Sequence, residues 1–203
     1  MKTDVYRFER AVDSIDGVIG PAEKIAAYNG LGKDEELRLS LLCEELIEML
    51  PNLLIYGKGE FWVENEGKCY EIHAVVEADD LLTSSDRKAI LAVSGSKKNS
   101  AAVGIMNRIR SAAEELIANY ALSKGSGGEV SYDSSSLEAL DYDYADPFAK
   151  QDMWSLVKYK KTVQNGTDAW DELEKSIIAN LADDVTVGII SGKVEIVIKK
   201  IFA

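Results

Sequence analysis

The chain of 203 residues carries 35 acidic against 23 basic side chains, a formal charge of −12 at pH 7, with 46% hydrophobic and 29% charged residues; this suits one domain, 1–203, able to bury its own core, and excludes wholesale disorder. The acidic balance argues against nucleic acid as a partner, because a phosphate backbone is repelled over most of such a surface; no apolar run approaches the roughly 18–20 residues that span a bilayer, and Met1–Tyr6 has no signal-peptide core, so no membrane role is expected. Two separated cysteines, Cys43 and Cys69, suggest no disulfide framework, and the plain reading is a cytoplasmic protein with reduced thiols.

Thr3–Arg10 reads as an edge strand, and Asp16–Asn29 as helical with an interruption near Gly20-Pro21. Gly30-Leu31-Gly32 stops that helix. Asp34 is then the expected cap of a helix over Glu35–Leu50, whose stripe Leu39, Leu42, Cys43, Leu46, Met49, Leu50 falls at steps of three and four; Pro51 closes it. Glu60–Glu64 and Tyr70–Glu77 read as an antiparallel hairpin around Asn65-Glu66-Gly67, with Tyr70, Ile72, Ala74 and Val76 inward and Glu71, His73 and Glu77 outward.

Beyond the polar stretch Asp79–Asp86, a small-residue loop, Ser94-Gly95-Ser96-Lys97-Lys98-Asn99-Ser100, leads into a helix over Ala101–Ala121 with Ile105, Ile109, Ala112, Leu116 and Tyr120 on its apolar side. Ser123–Asp146 is rich in Gly, Ser, Asp and Tyr and reads as one long mobile loop, not a domain boundary. Ser155 caps a short helix to Val163, Asn165-Gly166 breaks it, and Thr167 caps another carrying Trp170, Leu173, Ile177 and Leu181. Asp184–Ile190 and Lys193–Ile201 alternate cleanly around Ser191-Gly192 and form a closing hairpin. The fold class is α/β (α+β), a two-layer sandwich with a mixed, mostly antiparallel sheet and helices on one face.

Two segments carry a resemblance. Leu37–Ile47, an apolar helix bearing Glu44 and Glu45, is similar to the first motif of the ATP-binding domain shared by histidine kinases and DNA gyrase, the GHKL or Bergerat fold; Ile177–Val185, followed by a Gly-turn hairpin, is similar to its last helix and last strands. With the element order, the chain looks most like the bacterial anti-sigma-factor serine kinases. In that family the motif Glu activates a hydroxyl or water, and an Asn four residues later holds Mg²⁺ against the phosphates.

Against that pattern this chain has Glu48 at the Asn position if Glu44 is the motif residue, and Met49 if it is Glu45. The family's adenine-reading Asp corresponds to Asp79 or Asp80, here without the glycines that follow it. Counting back from Asp183, the phosphate-binding start of the last helix falls on Asp171-Glu172-Leu173-Glu174, where carboxylates replace glycines. Ser94, Gly95, Ser96, Lys97 and Lys98 read either as an anion cradle at a helix N-terminus or as a capped loop with solvated lysines, and the Walker spacing is absent. His73 is the only histidine, no cysteine stands at ligand spacing, and no zinc site is expected. Cys43 reads as packing, and Trp62, Trp154 and Trp170 as core or core margin.

The expectation is therefore a regulatory, non-catalytic relative of the anti-sigma-factor kinases. It would act by binding a protein, a sigma-like factor or another signalling component, with no required cofactor and its oligomeric state open, a homodimer included. The alternative is an active Mg-ATP-dependent serine/threonine kinase with Glu45 as base and the Ser94–Lys98 loop on the phosphates.

Overall fold

A computed structural model describes residues 1–9, 20, 24–54, 57–78, 104–106, 108–113, 116, 151–190 and 193–203. Six strands, β1 (Tyr6–Glu9), β2 (Gly57–Glu66), β3 (Cys69–Ala78), β4 (Gln151–Ser155), β5 (Asp184–Ile190) and β6 (Lys193–Ile201), form one sheet in the order β1-β2-β3-β6-β5-β4. Four helices, α1 (Lys33–Leu54), α2 (Leu156–Thr162), α3 (Asp168–Lys175) and α4 (Ile177–Leu181), accompany it. Residues 24–28, 105, 106, 108–113 and 116 are helical as well.

The α/β class holds, but the expected mixed sheet is antiparallel at every neighbouring pair of the described strands. The two hairpins account for this: each brings its own strands back antiparallel, and β3 joins β6 in the same sense.

Alternation decides which face of each strand is dry. Tyr70, Ile72, Ala74 and Val76 of β3 and Val194, Ile196 and Ile198 of β6 point to one side. There they join Phe61 and Val63 of β2, Val185 and Val187 of β5, and the apolar stripe of α1 in one core that also takes in Ile25, Ile105, Ile109, Leu116, Leu156, Leu173 and Ile178. The expected stripe of α1 is buried throughout, with Ile47 added. Burying a Leu or Ile side chain contributes about 1.5–3 kcal/mol, so this face of α1 is what holds the helix on the sheet.

The ends of the elements follow local chemistry. Gly30, at φ 69°, closes the preceding helical segment: its N–H donates to the Ala27 carbonyl, and the Leu31 N–H to the Ala26 carbonyl. This is a Schellman motif, with Leu31 tucked against the core. The helix α1 begins at Lys33, so Asp34 lies inside its first turn instead of capping it. The start is made by Gly32, whose carbonyl accepts from the Glu35 and Glu36 amides and whose own N–H donates to Glu35 Oε2 at 2.9 Å. The helix also continues past Pro51 to Leu54, because proline there removes only one backbone donor near the C-terminus.

The stretch after Thr167 was expected to be one helix and is two. Ser176 stands between them with extended backbone (φ −82°, ψ 125°), closing α3 and capping α4 by accepting from the Ala179 N–H. Serine offers its backbone that alternative bond, which is why it suits caps better than helix interiors.

Strand β4 was not anticipated; polar residues and a register shift between Asp152 and Trp154 hide its alternation. The expected cap Ser155 ends this strand and starts α2. Its hydroxyl donates to Asp184 Oδ1 at 3.1 Å and accepts from the Lys158 N–H at 3.4 Å. Asp184 also receives the N–H groups of Val157 and Val185, so one carboxylate ties β4, α2 and β5 together.

Candidate functional site

A cavity of about 640 Å³ lies in the helical layer between α1, residues 104–106 and the α3–α4 junction. Glu45 reaches it from α1, Asp168, Asp171, Glu172 and Lys175 from α3, and Ser176 and Ile177 from the junction. Helical spacing explains Glu45. Leu42 and Met49, three before and four after, are buried, so Glu45 stands at the margin of the apolar stripe, while Glu44 and Glu48 are exposed.

Of the two registers left open by the sequence, Glu45 is the one that faces the cavity. Met49, four residues on, is buried. Burial raises the Glu45 carboxyl above its ordinary 4.5, and the neighbouring Glu48 and Glu44 raise it further.

Thr167 starts α3 by accepting from the Trp170 N–H, and this sets Asp168 and Asp171 in its first turn. Asp171–Glu174, expected at the start of the last helix, instead lie within α3, because Ser176 ends that helix and begins α4 afresh. Asp171 and Glu172 consequently line the cavity. Glu174 does not; it accepts a hydrogen bond from Trp170 Nε1 at 2.8 Å. Glu172 is nearly buried and pairs with Arg108, whose Nε and Nη2 each lie 3.4 Å from Glu172 Oε2. The Arg108 guanidinium also covers the Tyr159 ring at 4.9 Å.

With Glu172 paired, Glu45, Asp168 and Asp171 face Lys175, the single cation among the described lining residues. Such a lining disfavours a triphosphate and favours a cationic or hydrogen-donating group. Asp168 and Lys175 were not singled out from the sequence, although Asp168, Asp171, Glu172 and Lys175 recur at steps of three and four along one helical face.

Of the other candidate positions, Asp79, Asp80, Ser94, Gly95, Ser96, Lys97 and Lys98 lie outside the described residues, as does the loop Ser123–Asp146. His73 is on the outward face of β3, as expected, yet it is buried. Trp62 of β2 stacks on it, centroids 4.6 Å apart and planes 6° apart, and Lys2 Nζ sits 4.1 Å from the Trp62 ring. A tryptophan expected at the core thus covers the opposite side of the sheet.

Cys43 is buried in the α1 stripe, and Cys69 is half-buried at the start of β3. No helix among the described residues is long and apolar enough to cross a membrane. Compared with protein-family models, curated proteins and solved structures, the chain matches none.

Proposed function

We propose that this protein is a regulatory, protein-binding relative of the GHKL anti-sigma-factor kinases in which the nucleotide cavity has become an acidic receptor. The observation that carries the reading is the cavity between α1 and α3, where Glu45, Asp168 and Asp171 outnumber Lys175; with Glu45 as the motif residue, the resemblance would put the metal-holding position at the buried Met49. The partner suited to it is a protein segment, of a sigma-like factor or another signalling component, that presents a cationic side chain.

Calorimetry with Mg-ATP tests this reading, and no saturable heat is expected up to millimolar nucleotide. A charged hydrogen bond to phosphate contributes about 1.5–3 kcal/mol, so losing several removes most of a micromolar site worth about −8.2 kcal/mol. The raised carboxyl of Glu45 at the cavity rim favours a second reading, an active serine/threonine kinase with Glu45 as base. Tight Mg-ATP binding, together with phosphate transfer lost in Glu45→Ala, would establish that alternative.

A further inference from the structure

We propose that Glu64, Glu71 and His73, on the sheet face opposite the described helices, bind a divalent transition-metal ion of the zinc class. The strand register assembles them. Across the β2–β3 hairpin Glu64 stands opposite Glu71 and Trp62 opposite His73, while β6 places Lys199 opposite Glu71 and Glu195 opposite Val75, two residues along from His73. Alternation turns all of these to the same side.

His73 is built as a ligand. Its side chain is 7% exposed, its plane is set by the Trp62 stack, and its Nδ1–H donates to Glu195 Oε1 at 2.9 Å. With Nδ1 engaged in this way, Nε2 is the ring nitrogen left to a metal ion, the carboxylate–histidine pairing that orients metal-binding imidazoles. The Nε2 atom is buried and has no hydrogen-bond partner. It lies 3.5 Å from Glu64 Oε1 and 3.8 Å from Glu71 Oε2.

Both separations are too long for well-formed hydrogen bonds. They are close to the spacing of ligand atoms around a tetrahedral ion: bonds of about 2.0–2.2 Å put neighbouring donors about 3.4 Å apart. The donor atoms of all three residues lie within 4.8 Å of one another. Lys199 Nζ is 3.6 Å from the other oxygen of Glu71, so it steadies that carboxylate while leaving Oε2 to the site.

A cavity of about 450 Å³, bounded in part by Lys2, Glu64, Cys69, Glu71 and Lys199, adjoins the cluster and leaves room for water as a fourth ligand. One imidazole with two carboxylates suits zinc and its neighbours, whereas magnesium and calcium prefer all-oxygen sets.

The test is a Zn²⁺ titration of the chelator-stripped full chain by calorimetry, with Co²⁺ absorption as a second readout of geometry. One equivalent should bind and raise the melting temperature, and millimolar Mg²⁺ should not compete. Glu64→Gln and Glu71→Gln, at half-exposed positions, should each weaken binding tenfold or more while the metal-free variants melt like the parent. Glu195→Gln, which only positions His73, should weaken it about 10- to 100-fold. Cys69→Ser should leave affinity unchanged. No 1:1 binding by the parent chain, undiminished binding in both glutamine variants at 64 and 71, or loss of binding in Cys69→Ser would overturn the site.

Discussion

Two side chains on α1 show how one helical turn sorts residues by depth. Cys43 points into the core, where burial, aided by Glu44, pushes its thiol well above the ordinary range. It should therefore resist maleimide in the native protein and react only after denaturation, while Cys69 labels at once; counting labels by mass spectrometry checks this. Glu45, two residues on, stays ionisable, with its carboxyl raised above 4.5. A raised carboxyl favours the folded state below 4.5, and that contribution is lost as pH rises through the folded value. Glu45→Gln should accordingly raise the melting temperature at pH 7, and the two proteins should converge in melts run below pH 4.5.

At the scale of elements, caps and junctions decided more than periodicity did. The α1 stripe, the β2–β3 hairpin and the β5–β6 hairpin were legible because the hydrophobic pattern of each marks the face turned to the core, but the burial of His73, Val75, Glu195 and Val197 on the opposite face of β3 and β6 was not. The break at Ser176 was not, since a serine in a helical pattern is compatible with both continuation and capping until neighbours choose. Strand β4 was hidden for a similar reason: an edge strand with a bulge needs only its partner β5, and its sequence carries little pattern. Ser155 joins these elements through Asp184. Ser155→Ala should cost about 0.5–2 kcal/mol in a urea titration, the usual range for losing a helix cap.

Across the whole molecule, negative charge gathers on both sides of the sheet: in the cavity between α1 and α3, and around Glu64, Glu71 and Glu195 on the face away from the helices. With a formal charge of −12, self-repulsion opposes the compact state, and salt screens it. Raising NaCl from about 0.02 to about 0.5 M shortens the screening length from roughly 20 to roughly 4 Å. The melting temperature should rise by a few degrees over that range, equivalent to about 1 kcal/mol for a chain of this size.

The amino-acid order by itself determined the α/β class, the buried faces of α1, β3, β5 and β6, and the inert setting of Cys43. Each depends on local spacing set against water, which a linear pattern encodes. Only the tertiary structure decided that Glu45 and not Glu44 faces the cavity, because the choice rests on what packs beside Leu42 and Met49. It also joined Asp168 and Asp171 to Glu45 across more than a hundred residues, and set Glu195 of β6 against His73 of β3. A site made of side chains from separate strands and helices exists only once register and packing have placed them, and neither is written in spacing along the chain.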